Sequence, residues 1–98
     1  MAEIRFSWSS VKDAANKRKH RVSFSEAQSV FYDDDALLLA DPDHSTTEDR
    51  FILLGLSGSL RILLVVHSYR DRDETIRIIS ARKANPTERS VYTTRRKR

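Results

Sequence analysis

The chain contains no cysteine. Disulfides and cysteine-ligated metal sites are therefore excluded, and a reducing compartment fits. Glycine and proline number two each; there is no internal repeat and no stretch that reads as a linker. Apolar runs are short, none near the ~20 residues of a membrane span. The opening stretch MAEIRFSWSS lacks the charged-then-apolar layout of a signal peptide. A cytoplasmic protein with no membrane partner is expected. What remains is a chain of 98 residues, 39% apolar and 33% charged. That is enough for one domain with one modest core.

Charge is present but unevenly placed. Residues 1–49 hold six Lys/Arg against ten Asp/Glu, a balance of −4, whereas residues 50–98 hold twelve against four, a balance of +8. A basic half points to a polyanion, most simply RNA or DNA. Part of that charge has a plainer reading as a solvated tail, because Arg95, Arg96, Lys97 and Arg98 end the chain. The organisation expected is one domain over 1–94 and a basic tail over 95–98.

Periodicity gives the elements. EIRFSW alternates, with Ile4, Phe6 and Trp8 on one side, as a short strand does. Ser9 or Ser10 can cap a helix over 11–20. Ser23 and Glu26 have the spacing of a capping box, and Phe24, Ala27, Val30 and Phe31 follow as a helical stripe. ALLLA (36–40) reads as a strand. DPDHSTTED (41–49) reads as a loop, with His44, Asp41 and Asp43 as turn chemistry rather than a metal site. Residues 50–56, 60–69 and 75–81 are three apolar strands joined by short connections, hence antiparallel hairpins. Asn85, Pro86 and Glu88 carry a second capping signal and open a helix that runs to about Tyr92. The expectation is an α+β fold: a small antiparallel sheet with helices packed against it, in the order β-α-α-β-β-β-β-α.

A two-residue turn at Gly58-Ser59 sets Arg50 opposite His67, and pairing Tyr69 with Thr75 sets His67 opposite Arg77. Arg50, His67 and Arg77 then form one row, with Cβ atoms about 5 Å apart, around a phosphate-sized gap. A one-residue slip in either hairpin breaks the row. Arg82 falls on the opposite side of an ideal strand, at its end. Apolar residues occupy both faces of these strands. Ile52, Leu54, Leu63, Val65 and Ile79 are expected on one, and Phe51, Leu53, Leu64, Val66, Ile76 and Ile78 on the other. The helices are too few to cover both, so a face is left for self-association or for a partner.

Several of these residues also spell a longer pattern. Trp8, Lys12, Asn16, Lys19, His20, Val22, Ser23, Phe24, Ala27, Val30 and Phe31 are followed by EDR (48–50), Gly55, LLVVHSYR (63–70), IRIISARKA (76–84), Glu88 and Tyr92. This resembles the BrnT family of toxins from bacterial type II toxin–antitoxin systems, over roughly residues 6–92. Arg21 stands where the family usually has glycine, Ser9 where it usually has an acid, and HSYR replaces a Tyr-Thr-x-Arg type of run. The resemblance implies a compact fold like that of RelE-type ribonucleases and RNA cleavage that blocks translation; no cofactor is expected. It also implies neutralisation by a BrnA-like antitoxin, with DNA reached only through that antitoxin; a homodimer, or a heterotetramer with the antitoxin, is expected.

RNA can be cut without metal when the 2′-OH attacks the adjacent phosphate, given a base, an acid and cations for the added charge. Arg50, Arg77 and Arg82 suit the cation role, since a guanidinium matches two phosphate oxygens. His20 or His67 can move protons near neutral pH, with Glu48 as a second candidate base and Lys19 as a further phosphate contact. Lys83 and Arg70 are expected to contact RNA, and Tyr69 to stack a base. Lys19 and His20 have an equally good reading as cations favoured at a helix C-terminus. A non-catalytic basic module that holds nucleic acid or an acidic protein is the alternative to the enzyme.

Overall fold

A computed structural model describes residues 4–41 and 49–97. The elements are β1 (Arg5–Ser7), α1 (Ser10–His20), α2 (Phe24–Ser29) with a 3-10 turn (Val30–Tyr32), β2 (Leu37–Ala40), β3 (Phe51–Leu56), β4 (Ile62–Arg70), β5 (Thr75–Lys83) and α3 (Pro86–Arg96). The order is the expected one. Five strands form one sheet, β1-β5-β4-β3-β2. β2 to β5 are antiparallel neighbours, but β1 runs parallel to β5, so the sheet is mixed. No helix among the described residues is long and apolar enough to cross a membrane.

The helix starts follow their caps. The Ser9 hydroxyl accepts from the Lys12 N–H at 3.2 Å, and the Ser23 hydroxyl from the Glu26 N–H at 3.0 Å. Glu26 does not serve as the second arm of a box. Its carboxylate accepts from the Ser57 hydroxyl at 2.7 Å and from Arg61 Nε at 2.9 Å, tying α2 to the β3–β4 hairpin. The Arg61 hydrogen bond holds the Glu26 carboxyl below its ordinary range. At α3 the box is complete, with Asn85 and Glu88 bonded both ways at 2.8 Å. Arg95 and Arg96, expected in a tail, form the last turn of α3. There Arg95 Nε donates to the Asp35 carbonyl at 3.1 Å.

Two apolar layers result. Val22, Phe24, Ala27 and Val30 pack on Leu53, Leu63, Val65, Ile78 and Ala81 on one side. Tyr92 and Ala84 pack on Leu54, with Leu37, Leu56 and Ile62, on the other. Nine buried residues against three make the first layer the main source of hydrophobic stabilisation, at about 1.5–3 kcal/mol per large side chain. The layers meet at Asp33. Its Oδ2 accepts from the Leu56 N–H at 2.8 Å and from the Tyr92 hydroxyl at 2.6 Å. Burial and that carboxylate push the Tyr92 phenol up to about 12. Gly55 allows the close approach: a Cβ there would lie 2.8 Å from the Ala36 Cβ and 2.9 Å from a Val30 methyl.

Both hairpin registers differ from expectation by one residue, and turn chemistry explains it. The first loop has three residues, not two. Ser57 N–H donates to the Arg61 carbonyl at 2.8 Å, and Leu60 takes the left-handed conformation at φ 64° that such loops need. The second hairpin pairs Arg70, not Tyr69, with Thr75. β4 is therefore turned over relative to the expected faces. Leu63 and Val65 lie with Leu53 and Ile78, while Leu64 and Val66 lie with Ile52 and Leu54. A β-bulge follows: Val66 pairs Ser80 and His67 pairs Ile78, leaving Ile79 extra.

Past the bulge, Asn16 of α1 completes the sheet. Its side-chain nitrogen donates to the carbonyls of Ala81 and Val22, each at 2.8 Å, and its oxygen accepts from the Ala81 N–H at 3.1 Å. β1 pairs β5 only through Arg77, so the amide stands in for a strand at Ala81. Asn16→Ala leaves these buried backbone groups without partners and should cost about 2–4 kcal/mol. A melting temperature within a few degrees of the unmodified chain would show that water replaces the amide. Arg21 ends α1 at φ 60°, ψ 31°, where a side chain is penalised and glycine is not. Arg21→Gly should raise stability by about 1 kcal/mol, or roughly 4–8 °C in melting temperature.

Candidate functional site

The bulge decides where the arginines point. Leu64, Val66 and Ser68 alternate along β4 onto one face, and their partners are Arg82, Ser80 and Arg77. Arg77 and Arg82 are five residues apart and would fall on opposite faces of a regular strand. The extra residue at Ile79 restores them to the same face, while Ile78 and Ala81 both reach the core. Arg50 belongs here too. Phe51 pairs with His67, so continuing that register by one residue sets Arg50 opposite Ser68. The row expected as Arg50–His67–Arg77 is instead Arg50–Ser68–Arg77, extended by Ser7 of β1 opposite Arg77. Both hairpins slipped the same way, so the outer two members stayed aligned and the middle one changed.

Among the described residues, α3 covers only one end of this face. α3 sits over Leu54, Leu56 and Ile62. Ser68 lies six residues beyond Ile62, about 20 Å along the strand. Around it stand half-buried Arg50 and Arg77, exposed Arg70 and Arg5, and the apolar floor of Ile52 and Val66. Among the described residues, the Arg77 guanidinium has no hydrogen bond or ion pair, whereas Arg5 lies 3.7 Å from Glu74. Arg82 is engaged: its two terminal nitrogens meet the two Glu88 oxygens at 2.8 and 2.9 Å. That pair raises the Arg82 pKa and lowers that of Glu88. It fastens the start of α3 to β5.

The proton-transfer candidates do not join this row. His67 is fully buried on the helix-covered face, its ring 4.8 Å from Phe31 and 5.3 Å from Tyr69. Its Nδ1 is 3.2 Å from the Val65 carbonyl and its Nε2 is 3.3 Å from the Tyr69 hydroxyl. Burial lowers its pKa, so the ring is neutral at pH 7. Tyr69 lies beside it, its own pKa raised by burial. Lys19 and His20 end α1 next to Arg61, whose Nη2 donates to the Arg21 carbonyl at 3.0 Å. That is the other end of β4 from Ser68. Lys83, opposite Leu63, is exposed at that same end. Glu48, His44 and Asp43 lie outside the described residues. Among the described residues no three His, Asp or Glu side chains are grouped to hold a metal ion.

Sequence reasoning missed Ser68 and the engagement of Arg82 by Glu88. Ser68 lies within HSYR (67–70), but only the correct turn length places it between arginines. The spacing of Glu88 from Asn85 signals a cap alone. The burial of His67 has a measurable consequence. Its pKa is lower folded than the 6.5 of an unperturbed histidine, so the unfolded chain binds more protons between those values. Stability is present above pH 6.5 and is lost as pH falls through the folded pKa. The melting temperature should drop from pH 6.5 toward 5, a window above that of the lowered carboxyls Glu26, Asp33 and Glu88. His67→Phe should flatten that slope; an unchanged slope would assign it to another group.

A search of curated proteins gave no match. Among solved structures, this chain is similar to the crystal structure of the Brucella abortus ribonuclease toxin, BrnT. It shares 24% identity and a TM-score of 0.63, over 85% of this chain and 99% of that one. The likeness shows the same α+β fold. The family described as "Ribonuclease toxin, BrnT, of type II toxin-antitoxin system" matches residues 8–88. With most of the chain inside that match, the protein belongs to the BrnT family of ribonuclease toxins of type II toxin–antitoxin systems.

Proposed function

We propose that the protein is a metal-independent endoribonuclease that stops translation by cutting RNA, with the scissile phosphate held at the end of the basic face beyond α3. The observation that carries this reading is Arg77. It is half-buried and unpaired among the described residues, and it aligns with Arg50 across Ser68. Holding a guanidinium partly out of water without a counter-charge is unfavourable, and a phosphodiester supplies one.

In this mechanism the ribose 2′-OH loses its proton to a base and attacks phosphorus, and the bond to the 5′-oxygen breaks as that oxygen gains a proton. The products are a 2′,3′-cyclic phosphate and a 5′-hydroxyl. Arg77, with Arg50 and Arg70, stabilises the charge that builds on the phosphoryl oxygens. Arg82 holds α3 through Glu88 and serves the site by position. The base is assigned to Glu48, two residues before Arg50 in sequence. His67 is neutral, fully buried and on the other face, which favours a packing role. Lys19, His20 and Lys83 extend the basic surface toward the far end of the sheet, and Tyr69 sits on the helix side. A BrnA-like antitoxin would neutralise the toxin by laying an acidic segment over Arg50, Arg70 and Arg77, and DNA would be reached only through it.

Purified protein should cleave RNA in the presence of EDTA, and more weakly as salt rises. Arg77→Ala should lower cleavage about a hundredfold, the effect of losing roughly 3 kcal/mol of transition-state stabilisation, with little change in melting temperature. RNA left intact by folded protein over a wide concentration range would favour the non-catalytic basic module. Full activity joined to a large loss of stability would make Arg77 structural.

A further inference from the structure

Ser68 is the anomaly in the row. Its side chain is on the basic face, opposite Arg77, yet the residue is only 2% exposed. Its hydroxyl oxygen has no hydrogen-bond partner among the described residues. A buried hydroxyl normally finds one, because leaving it unbonded costs stability. The backbone offers an easy remedy, since alanine would fill the same place in the strand without the oxygen. The neighbours make the hydroxyl intelligible. Directly opposed strand side chains have Cβ atoms about 5 Å apart, so Arg77 lies beside it on β5. Beyond Arg77 in the same row is Ser7 of β1.

We propose that the Ser68 hydroxyl and the Arg77 guanidinium form a phosphate-binding subsite, with Ser68 donating its proton to a phosphoryl oxygen that Arg77 also grips. Ser68 is thus a substrate-positioning residue. Identifying the phosphate as that of RNA rests on the ribonuclease reading; the anion subsite itself does not. A neutral donor complements the arginine. It adds direction without more charge, and it sits at the floor of the row where a bound oxygen is shielded from water. Arg77 is opposed to Ser68 and has no hydrogen bond or ion pair among the described residues to fix its side chain there. It can swing aside as the anion enters, a side-chain adjustment common on binding.

The test is Ser68→Ala, read three ways on the full chain. Without ligand, its melting temperature should equal or exceed that of the unmodified protein, because an unbonded buried oxygen is removed. Inorganic phosphate, compared with chloride at equal ionic strength, should raise the melting temperature of the unmodified protein and do so less for Ser68→Ala. RNA cleavage should fall about tenfold or more, the loss of one hydrogen bond to a charged group. Phosphate stabilisation that depends on Ser68 in a protein that cuts no RNA would uphold the subsite and overturn the ribonuclease reading alone. Equal phosphate effects and equal cleavage would overturn the subsite. So would a marked loss of stability in Ser68→Ala, since the hydroxyl would then be serving the fold.

Discussion

The amide of Asn16 bonded to both backbone groups of Ala81 is the constraint on which the rest of the molecule depends. β5 is paired on one side by β4 along its length, but on the other by β1 through three residues only. Beyond those three the strand must find other partners for its outer backbone groups. Asn16 provides both, and it also takes the Val22 carbonyl at the entry to α2. One side chain thereby fixes α1 against the sheet, sets the turn between the helices and anchors β5 just after its bulge. Asp13 adds to this from one turn earlier, accepting from the Phe24 N–H at 2.9 Å.

The bulge converts that anchorage into chemistry. Without an extra residue at Ile79, a strand that buried Ile78 would send Ala81 outward and Arg82 into the core side. With it, Ile78 and Ala81 are both buried and Arg77 and Arg82 share the outer face. The two arginines then take different work. Arg82 closes on Glu88 and so locates α3 over one end of the face. Among the described residues Arg77 stays unpaired, at the end that α3 does not cover. The helix partitions the face, and the basic row belongs to the part beyond it.

Much of this was legible in the sequence, and the failures have local causes. Every element was placed, because alternation, helical stripes and the caps at Ser9, Ser23 and Asn85 are short-range signals. The faces of β4 were not, because they hang on single residues in turns. Leu60 in a left-handed conformation is not what its identity suggests, and it lengthens the first loop by one. The parity change at Ile79 carries no composition cue at all. Glu26 shows a related failure: its spacing from Ser23 fits a box, but Arg61, distant in sequence, offers its carboxylate a stronger partner. His67 looked like a proton carrier until the strand was turned over and its ring fell among Phe31, Phe51 and Tyr69.

The scarcity of glycine has its counterpart in the backbone. Neither glycine occupies the left-handed region, while Arg21, Leu60, Asp71, Arg72 and Asp73 all do. At about 1–2 kcal/mol for an ordinary side chain, and less for the aspartates, these turns hold back a sizeable share of the 5–15 kcal/mol that a domain has to spare. The population of open molecules rises accordingly, and open molecules are the ones a protease cuts. The lifetime of the free chain in a cell is therefore written in its turns as much as in its core, and any ligand that favours the folded state lengthens it by mass action.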